Sequence, residues 1–258
     1  MKKWLFFGVM GLFIFQFHFQ VLAQFVMIIP SDSMVMQEED REVKVNLSYS
    51  HPFEGEGMDL EKPSQFSVKN NRWKKNLVSS LEKTHVMGHK GWETTYRLAQ
   101  SGAYIFYMEQ ETLWVPDEDR FVSHNAKTVV AVSGSEEGWD DTVDLTMEIV
   151  PLTRPFGLYT GNVFQGIVIL DRKPLPFLKV EISYYNEDGK AVAPADFLIT
   201  QVVKTDSNGV FTYAAPRAGW WGFMARNSSR KMKKRGGEQK DLEFRATLWV
   251  EFTDWKEE

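Results

Sequence analysis

Between residues 25 and 252 the chain has almost no stretch in which apolar residues recur every three or four positions, and many short ones in which they alternate with polar residues. Residues 43–49 (VKVNLSY) show the pattern. Val43, Val45, Leu47 and Tyr49 fall on one side of an extended chain, and Lys44, Asn46 and Ser48 on the other. Similar runs occupy residues 25–29, 66–69, 93–98, 104–108, 127–132 and 143–150, and each ends in turn chemistry. That rhythm predicts about seven or eight strands, the number a sandwich of immunoglobulin-like type requires. A second set follows at 162–170, 178–185, 200–204, 210–214, 219–225 and 244–252, punctuated by Asp171-Arg172-Lys173-Pro174, Glu187-Asp188-Gly189 and Asp206-Ser207-Asn208-Gly209. The expected fold is all-β: two tandem immunoglobulin-like β-sandwich domains. Pro151 and Pro155 interrupt the alternation and mark a semi-rigid linker at 151–157, between a first domain at 24–150 and a second at 158–258.

Ahead of the first strand, Lys2 and Lys3 precede an apolar run and the segment closes on Val21-Leu22-Ala23, the layout of a cleavable signal peptide over residues 1–23. Gln16, His18 and Gln20 interrupt the run before it reaches the ~20 apolar residues of a membrane span. The expectation is a soluble periplasmic protein beginning at Gln24. With no cysteine, the chain has neither a disulfide framework nor a lipidated thiol. Its formal net charge of −5 becomes more negative once Lys2 and Lys3 are removed, which argues against nucleic acid as a partner. The one basic run, residues 230–235 (RKMKKR), is flanked by Asn227-Ser228-Ser229 and Gly236-Gly237 and reads as a solvated loop.

Catalytic chemistry has little footing. The sequence lacks a cysteine nucleophile and a Gly-x-Ser-x-Gly elbow, and the adjacent pairs Ser50-His51 and Ser123-His124 do not by adjacency make a triad. The glycine-bearing segment 134–138 (GSEEG) would repel a phosphate. These features predict a binding protein and not an enzyme. Metal capture is the better candidate. In residues 50–63 (SHPFEGEGMDLEKP), His51, Glu54, Glu56 and Met58 crowd together, and Gly55 and Gly57 let the backbone turn them toward one point. His85, Met87 and His89 are spaced by two, so an extended 84–90 would put all three on one face, whereas a turn at Gly88 would splay the histidines apart. His124 is a further candidate ligand, or a structural residue bonded to backbone. Met34 and Met36 form a soft pair that is as well explained by packing. The aromatic cluster 219–223 (GWWGF) either stacks on a sugar or partner, or fills a sheet contact.

Taken together, residues 25–31 (FVMIIPS), 51–58 (HPFEGEGM), 119–127 (DRFVSHNAK), 148–166 (EIVPLTRPFGLYTGNVFQG), 204–211 (KTDSNGVF) and 219–223 resemble the DUF4198 proteins, described as periplasmic components of cobalt and nickel uptake systems. The second half is also similar to the carboxypeptidase-regulatory or prealbumin-like sandwich, which bears on fold alone. The resemblance implies a Ni²⁺- or Co²⁺-binding accessory of an energy-coupling-factor type importer, with a membrane transporter subunit as partner. The metal ligands would come from His51, Glu54, Met58, His85, His89 and His124. Members of that family often begin the mature chain with a histidine; here that position is Gln24. The alternative is an extracytoplasmic interaction module that binds a glycan or protein without metal.

Overall fold

The computed structural model describes residues 23–36, 40–133 and 137–255, and of 229–235 the backbone alone. The signal-peptide expectation therefore falls outside the described residues except at Ala23, and so does most of the acidic segment 134–138. The first strands are β1 (Phe25–Pro30), β2 (Met34–Val35), β3 (Glu42–His51), β4 (Glu56–Met58), β5 (Gln65–Asn70), β6 (Trp73–Asn76), β7 (Glu82–Val86), β8 (His89–Arg97), β9 (Gly102–Glu109), β10 (Leu113–Val115) and β11 (Arg120–Val132). They are followed by β12 (Met147–Pro151), β13 (Leu158–Tyr159), β14 (Val163–Leu170), β15 (Lys173–Pro174), β16 (Lys179–Tyr184), β17 (Gln201–Lys204), β18 (Val210–Ala214), β19 (Gly219–Arg235) and β20 (Glu238–Thr253). Only short 3-10 turns interrupt this all-β chain among the described residues, as the alternation predicts.

Two sandwiches form, and they share a sheet. In the first, β1, β3, β4, β7 and β8 cover the β11-β9-β5-β6 part of an eleven-stranded sheet. In the second, β12, β14, β15 and β18 cover the β17-β16-β19-β20 part of the same sheet. The two parts are joined where β11 and β20 pair in parallel, from Phe121 opposite Leu242 to Thr128 opposite Trp249. Alternation along these strands then divides the cores between opposite faces of the shared sheet. Ala126, Val130 and Val132 of β11 meet Val26, Val45 and Leu47 in the first core. Leu242, Phe244, Ala246 and Leu248 of β20 meet Ile149, Phe164 and Val168 in the second. Each fully buried Leu, Ile or Phe here contributes about 1.5–3 kcal/mol relative to an exposed one. Strand β1 is buried on both faces: Val26 and Ile28 enter the first core, while Phe25 and Met27 lie against Trp220, Met224 and Trp249.

Three expectations are corrected. Residues 147–150, placed by the sequence at the end of the first domain, belong by pairing to the second, because β12 runs antiparallel to β14 from Met147 opposite Leu170 to Pro151 opposite Gly166. The linker expected at 151–157 is tied to the same strand: the amides of Leu152 and Thr153 donate to Gln165 O at 2.8 and 3.1 Å, and Thr153 Oγ1 accepts from the Gln165 amide at 2.9 Å. The basic run 230–235, expected as a loop, lies in β19, whose backbone pairs with β20 out to Arg235 opposite Glu238.

The segment leading into β12 crosses the outer face of the first half of the shared sheet, where Val143 and Leu145, joined by Phe156 from beyond β12, pack with Ile105, Tyr107, Val129 and Ala131. A buried ion pair holds it. Lys127 Nζ lies 2.9 Å from Glu148 Oε2, both side chains are 2% exposed, and the Val143 amide donates to both Glu148 oxygens at 3.3 and 3.2 Å. Burial pulls the Lys127 ammonium down, and the attraction of Glu148 opposes that shift.

Candidate functional site

Strand β3 ends in the densest group of candidate ligands. Its alternation puts Tyr49 and His51 on one face, and the antiparallel return of β4 sets Met58 opposite Tyr49 and Glu56 opposite His51 on that same face. The reversal works because Gly55 takes φ +68, a backbone region that disfavours side chains, and its amide closes on His51 O at 3.1 Å. Gly57 is required for a different reason: a Cβ there would meet His89 Cδ2 and Met87 O at 2.9 Å.

The hairpin is anchored to the second sandwich through one buried residue. The Asn186 amide donates to Pro52 O at 3.1 Å, and Asn186 Nδ2 donates to Phe53 O and Ala191 O, each at 3.0 Å. Held in this way, His51 Nδ1 and Glu54 Oε1 are both buried with no hydrogen-bond partner. Burial pushes the Glu54 carboxyl upward, its own backbone bond and His51 pull it back, and Glu56 and Asp196 add to the rise. An unpartnered buried donor or acceptor costs about 1–3 kcal/mol, and this turn carries two of them.

Across from the hairpin, the shared sheet presents a charged row. Tyr49 meets His124 of β11 edge to face, with ring centroids 5.7 Å apart, and donates to Gln24 Oε1 at 2.6 Å. His124 is 4% exposed and its Nε2 has no partner. Burial, with repulsion from Arg245 and Arg226, holds its imidazole well below the usual range, so it is neutral. Arg245, by contrast, is held by two carboxylates: Nε donates to Glu243 Oε1 at 2.6 Å, and Nη2 donates to Glu118 Oε1 and Oε2 at 2.8 and 2.5 Å. Arg120 completes the row by donating to Glu243 Oε2 at 2.8 Å. Beside it Arg226 Nη2 lies 2.8 Å from Glu181 Oε2, while Arg226 Nε and Thr247 Oγ1 are buried without partners.

The remaining candidates do not converge here. Residues 84–90 are not one extended run. Met87 and Gly88 take φ 50 and 77, forming a two-residue turn between β7 and β8, and the register pairs His85 with Lys90 and Val86 with His89. His85 and His89 therefore stand on opposite faces of the hairpin. His85 is exposed, and His89 Nδ1 lies 3.5 Å from Asp59 Oδ1 at the surface. Among the described residues no three His, Cys, Asp or Glu side chains are arranged to hold a metal ion. The structure thus brings His51, Glu54 and Met58 to one hairpin and His124 to the sheet facing Tyr49, sets the His89 ring against Gly57 on the other face of that hairpin, and leaves His85 exposed away from it. Tyr49, Asn186, Arg226 and Arg245 escaped the sequence reading because β3 meets β11, β16, β19 and β20 only in the fold.

The aromatic cluster at 219–223 is structural. Trp221 is 4% exposed within the second core, and Trp220, 8% exposed, fills the contact between β1 and the shared sheet. Gly222 admits the Trp249 indole, whose Cη2 would lie 2.8 Å from a Cβ.

No curated protein matches the chain. Among solved structures it is similar to the D0–D1 domain of intimin, at 12% identity over 90% of this chain and 100% of that one, with a TM-score of 0.25. It is also similar to the Yersinia pseudotuberculosis adhesin InvE, at 10% identity over 88% and 58%, TM-score 0.25. The Clostridium thermocellum CbhA fibronectin(III)-like modules give 10% identity over 91% and 98%, TM-score 0.22. At such scores these likenesses carry no argument about the site. A family model for a domain of unknown function matches residues 21–229, a span that takes in the 51–58 hairpin, His124 and Asn186, and on that match the chain belongs to the DUF4198 family.

Proposed function

We propose that this protein is a non-catalytic extracytoplasmic binding protein that captures Ni²⁺ or Co²⁺ through the 51–58 hairpin and passes it to a membrane uptake subunit. The observation that carries the reading is the pair of buried, partnerless atoms His51 Nδ1 and Glu54 Oε1, three residues apart on a turn fixed by Asn186. An imidazole nitrogen beside a carboxylate oxygen suits a borderline divalent ion, and the Met58 thioether on the same face adds softness. No third His, Cys, Asp or Glu joins them among the described residues, so the remaining coordination positions fall to water, to Met58 or to the accepting subunit. A cargo held by few protein ligands is released readily, as transfer requires. The raised Glu54 carboxyl has to lose its proton to serve, so capture weakens as the pH falls through its range. The alternative, a glycan-binding module built on Trp220 and Trp221, gains no support from indoles that are buried.

Calorimetric titration of the purified protein with Ni²⁺ and Co²⁺ at neutral pH tests this reading. Saturable one-to-one binding that His51→Ala weakens at least about tenfold, and Glu54→Gln less, is the expected result. Binding that is absent, or indifferent to His51, would rule the hairpin out as the ligand source.

A further inference from the structure

Three further partnerless atoms lie together on the face of the shared sheet that carries the charged row. His124 of β11 stands beside Arg245 of β20, Arg226 of β19 stands beside Arg245 on its other side, and Thr247 follows two positions along β20. Alternation puts all four side chains on one face. His124 Nε2, Arg226 Nε and Thr247 Oγ1 are each buried without a hydrogen-bond partner, and His124 and Thr247 are only 4% and 2% exposed. The β11 neighbour of Thr247 is Ala126, so the corner between the imidazole and the hydroxyl is filled by no more than a methyl group.

We propose that this face holds a small carboxylate of acetate size, which accepts hydrogen bonds from Arg226 Nε, His124 Nε2 and Thr247 Oγ1. Arg226 Nε carries its proton throughout the neutral range and calls for an acceptor, and a hydroxyl and a neutral imidazole can each turn a proton toward the same group. The chain's own carboxylates are engaged elsewhere: Glu118 and Glu243 close on Arg245 and Arg120, and Glu181 lies against Arg226 Nη2. Arg245 and Arg226 are the charges that bear most on His124, so a cation is repelled from its ring and an anion attracted. A water molecule accepts two hydrogen bonds and brings no charge; a carboxylate accepts all three and meets the positive side of the row. The way in is past Arg226 and Glu181, whose side chains are each 25% exposed, while Tyr49 closes over the His124 ring. The assignment gives His124 a part other than the metal ligation expected of it and uses no atom of the 51–58 hairpin, so it stands or falls independently of metal capture.

Nitrogen-15 NMR of the arginine Nε–H groups of the purified protein, titrated with sodium acetate and with sodium chloride at matched ionic strength, tests the proposal. The Arg226 resonance, identified by its loss in Arg226→Lys, is expected to shift saturably with acetate and to stay in place with chloride. Thr247→Val removes one donor at nearly constant shape, and His124→Phe keeps a ring against Tyr49 while removing the nitrogen. Each is expected to weaken acetate about tenfold, and Arg97→Lys, at an exposed position of β8, to leave it unchanged. The backbone amide spectrum shows whether each variant is folded, and the comparison of acetate with chloride on the wild type needs no variant at all. An Arg226 resonance indifferent to acetate would put a sealed water in the place and overturn the proposal. An equal shift with chloride would mean an adventitious ion only, and weakening no greater in Thr247→Val and His124→Phe than in Arg97→Lys would move the anion elsewhere; either result overturns it as well.

Discussion

Two buried polar groups in this protein have opposite characters. Lys127 and Glu148 are each 2% exposed and close on one another and on the Val143 amide. His51 and Glu54 are less deeply buried, yet one atom of each is sealed from water without any partner. The first pair has its polar valences met by the chain and serves to hold the strap over Ile105 and Val129. The second leaves valences open, and on the reading proposed above those are the ones a metal ion would meet. His124 lies between the two: fully enclosed like Lys127, and with an open ring nitrogen like His51.

The largest effect that would break this comparison is in the structural pair. Lys127→Ala strands a buried carboxylate and is expected to cost about 3–5 kcal/mol in urea unfolding, whereas Lys127→Met combined with Glu148→Leu restores most of it. A cost for the single change near that of a surface salt bridge would remove the distinction. Next in size is the acid response of His124. Its folded pKa lies below the unfolded value of about 6.5, so the unfolded chain takes up the proton first. The stability it supports is present above about pH 6.5 and falls by about 1.4 kcal/mol per pH unit below that, until the folded value is reached. Denaturant midpoints of wild type and His124→Gln between pH 7 and 5 should converge as the pH drops; parallel curves would mean that His124 takes up its proton equally in the folded and unfolded chain.

Smaller still is the expected change at the open pair. His51→Ala is expected to alter stability by less than about 1 kcal/mol while removing metal capture, the reverse of Lys127→Ala. Glu54→Gln sharpens the contrast most finely. Because the folded carboxyl is raised, its ionised form opposes folding increasingly as the pH climbs through that range, so the amide should be neutral or stabilising by about 0.5 kcal/mol at pH 7. Loss of stability on this change would show that the carboxylate has a partner in the folded state.

Much of the fold was legible because alternation is a local signal: residues 43–49, 104–108 and 244–252 lie in strands, with Val45, Phe106 and Leu248 inward. Partners were not legible. Residues 147–150 read as strand correctly but were given to the wrong domain, since nothing in Glu148-Ile149-Val150 announces β14 as its neighbour. The turn at Met87-Gly88 was visible as an option through Gly88, but Met87 at positive φ has no sequence signature. The basic run 230–235 misled because an unbroken run of charge carries no alternation, so nothing in it announces the backbone pairing of β19 with β20. At the site, the 51–58 residues were found from composition, and Asn186, more than 130 positions away, could not be.

The parallel pairing of β11 with β20 also sets an order of events. Residues 121–128 can lie beside 242–249 only after synthesis has run through β20, far along the chain from β11. Until then β11 holds β10 at its start and β2 and β9 at its end, and in the stretch between, His124 O accepts from the Gln110 amide at 2.9 Å while the side that takes β20 stays open. An incomplete chain thus carries an open β-edge beside a largely formed first sandwich, the kind of edge that seeks a neighbour in another molecule. Completion of β20 is the step that ends this exposure, and a chain truncated before residue 238 would remain sticky for its whole lifetime.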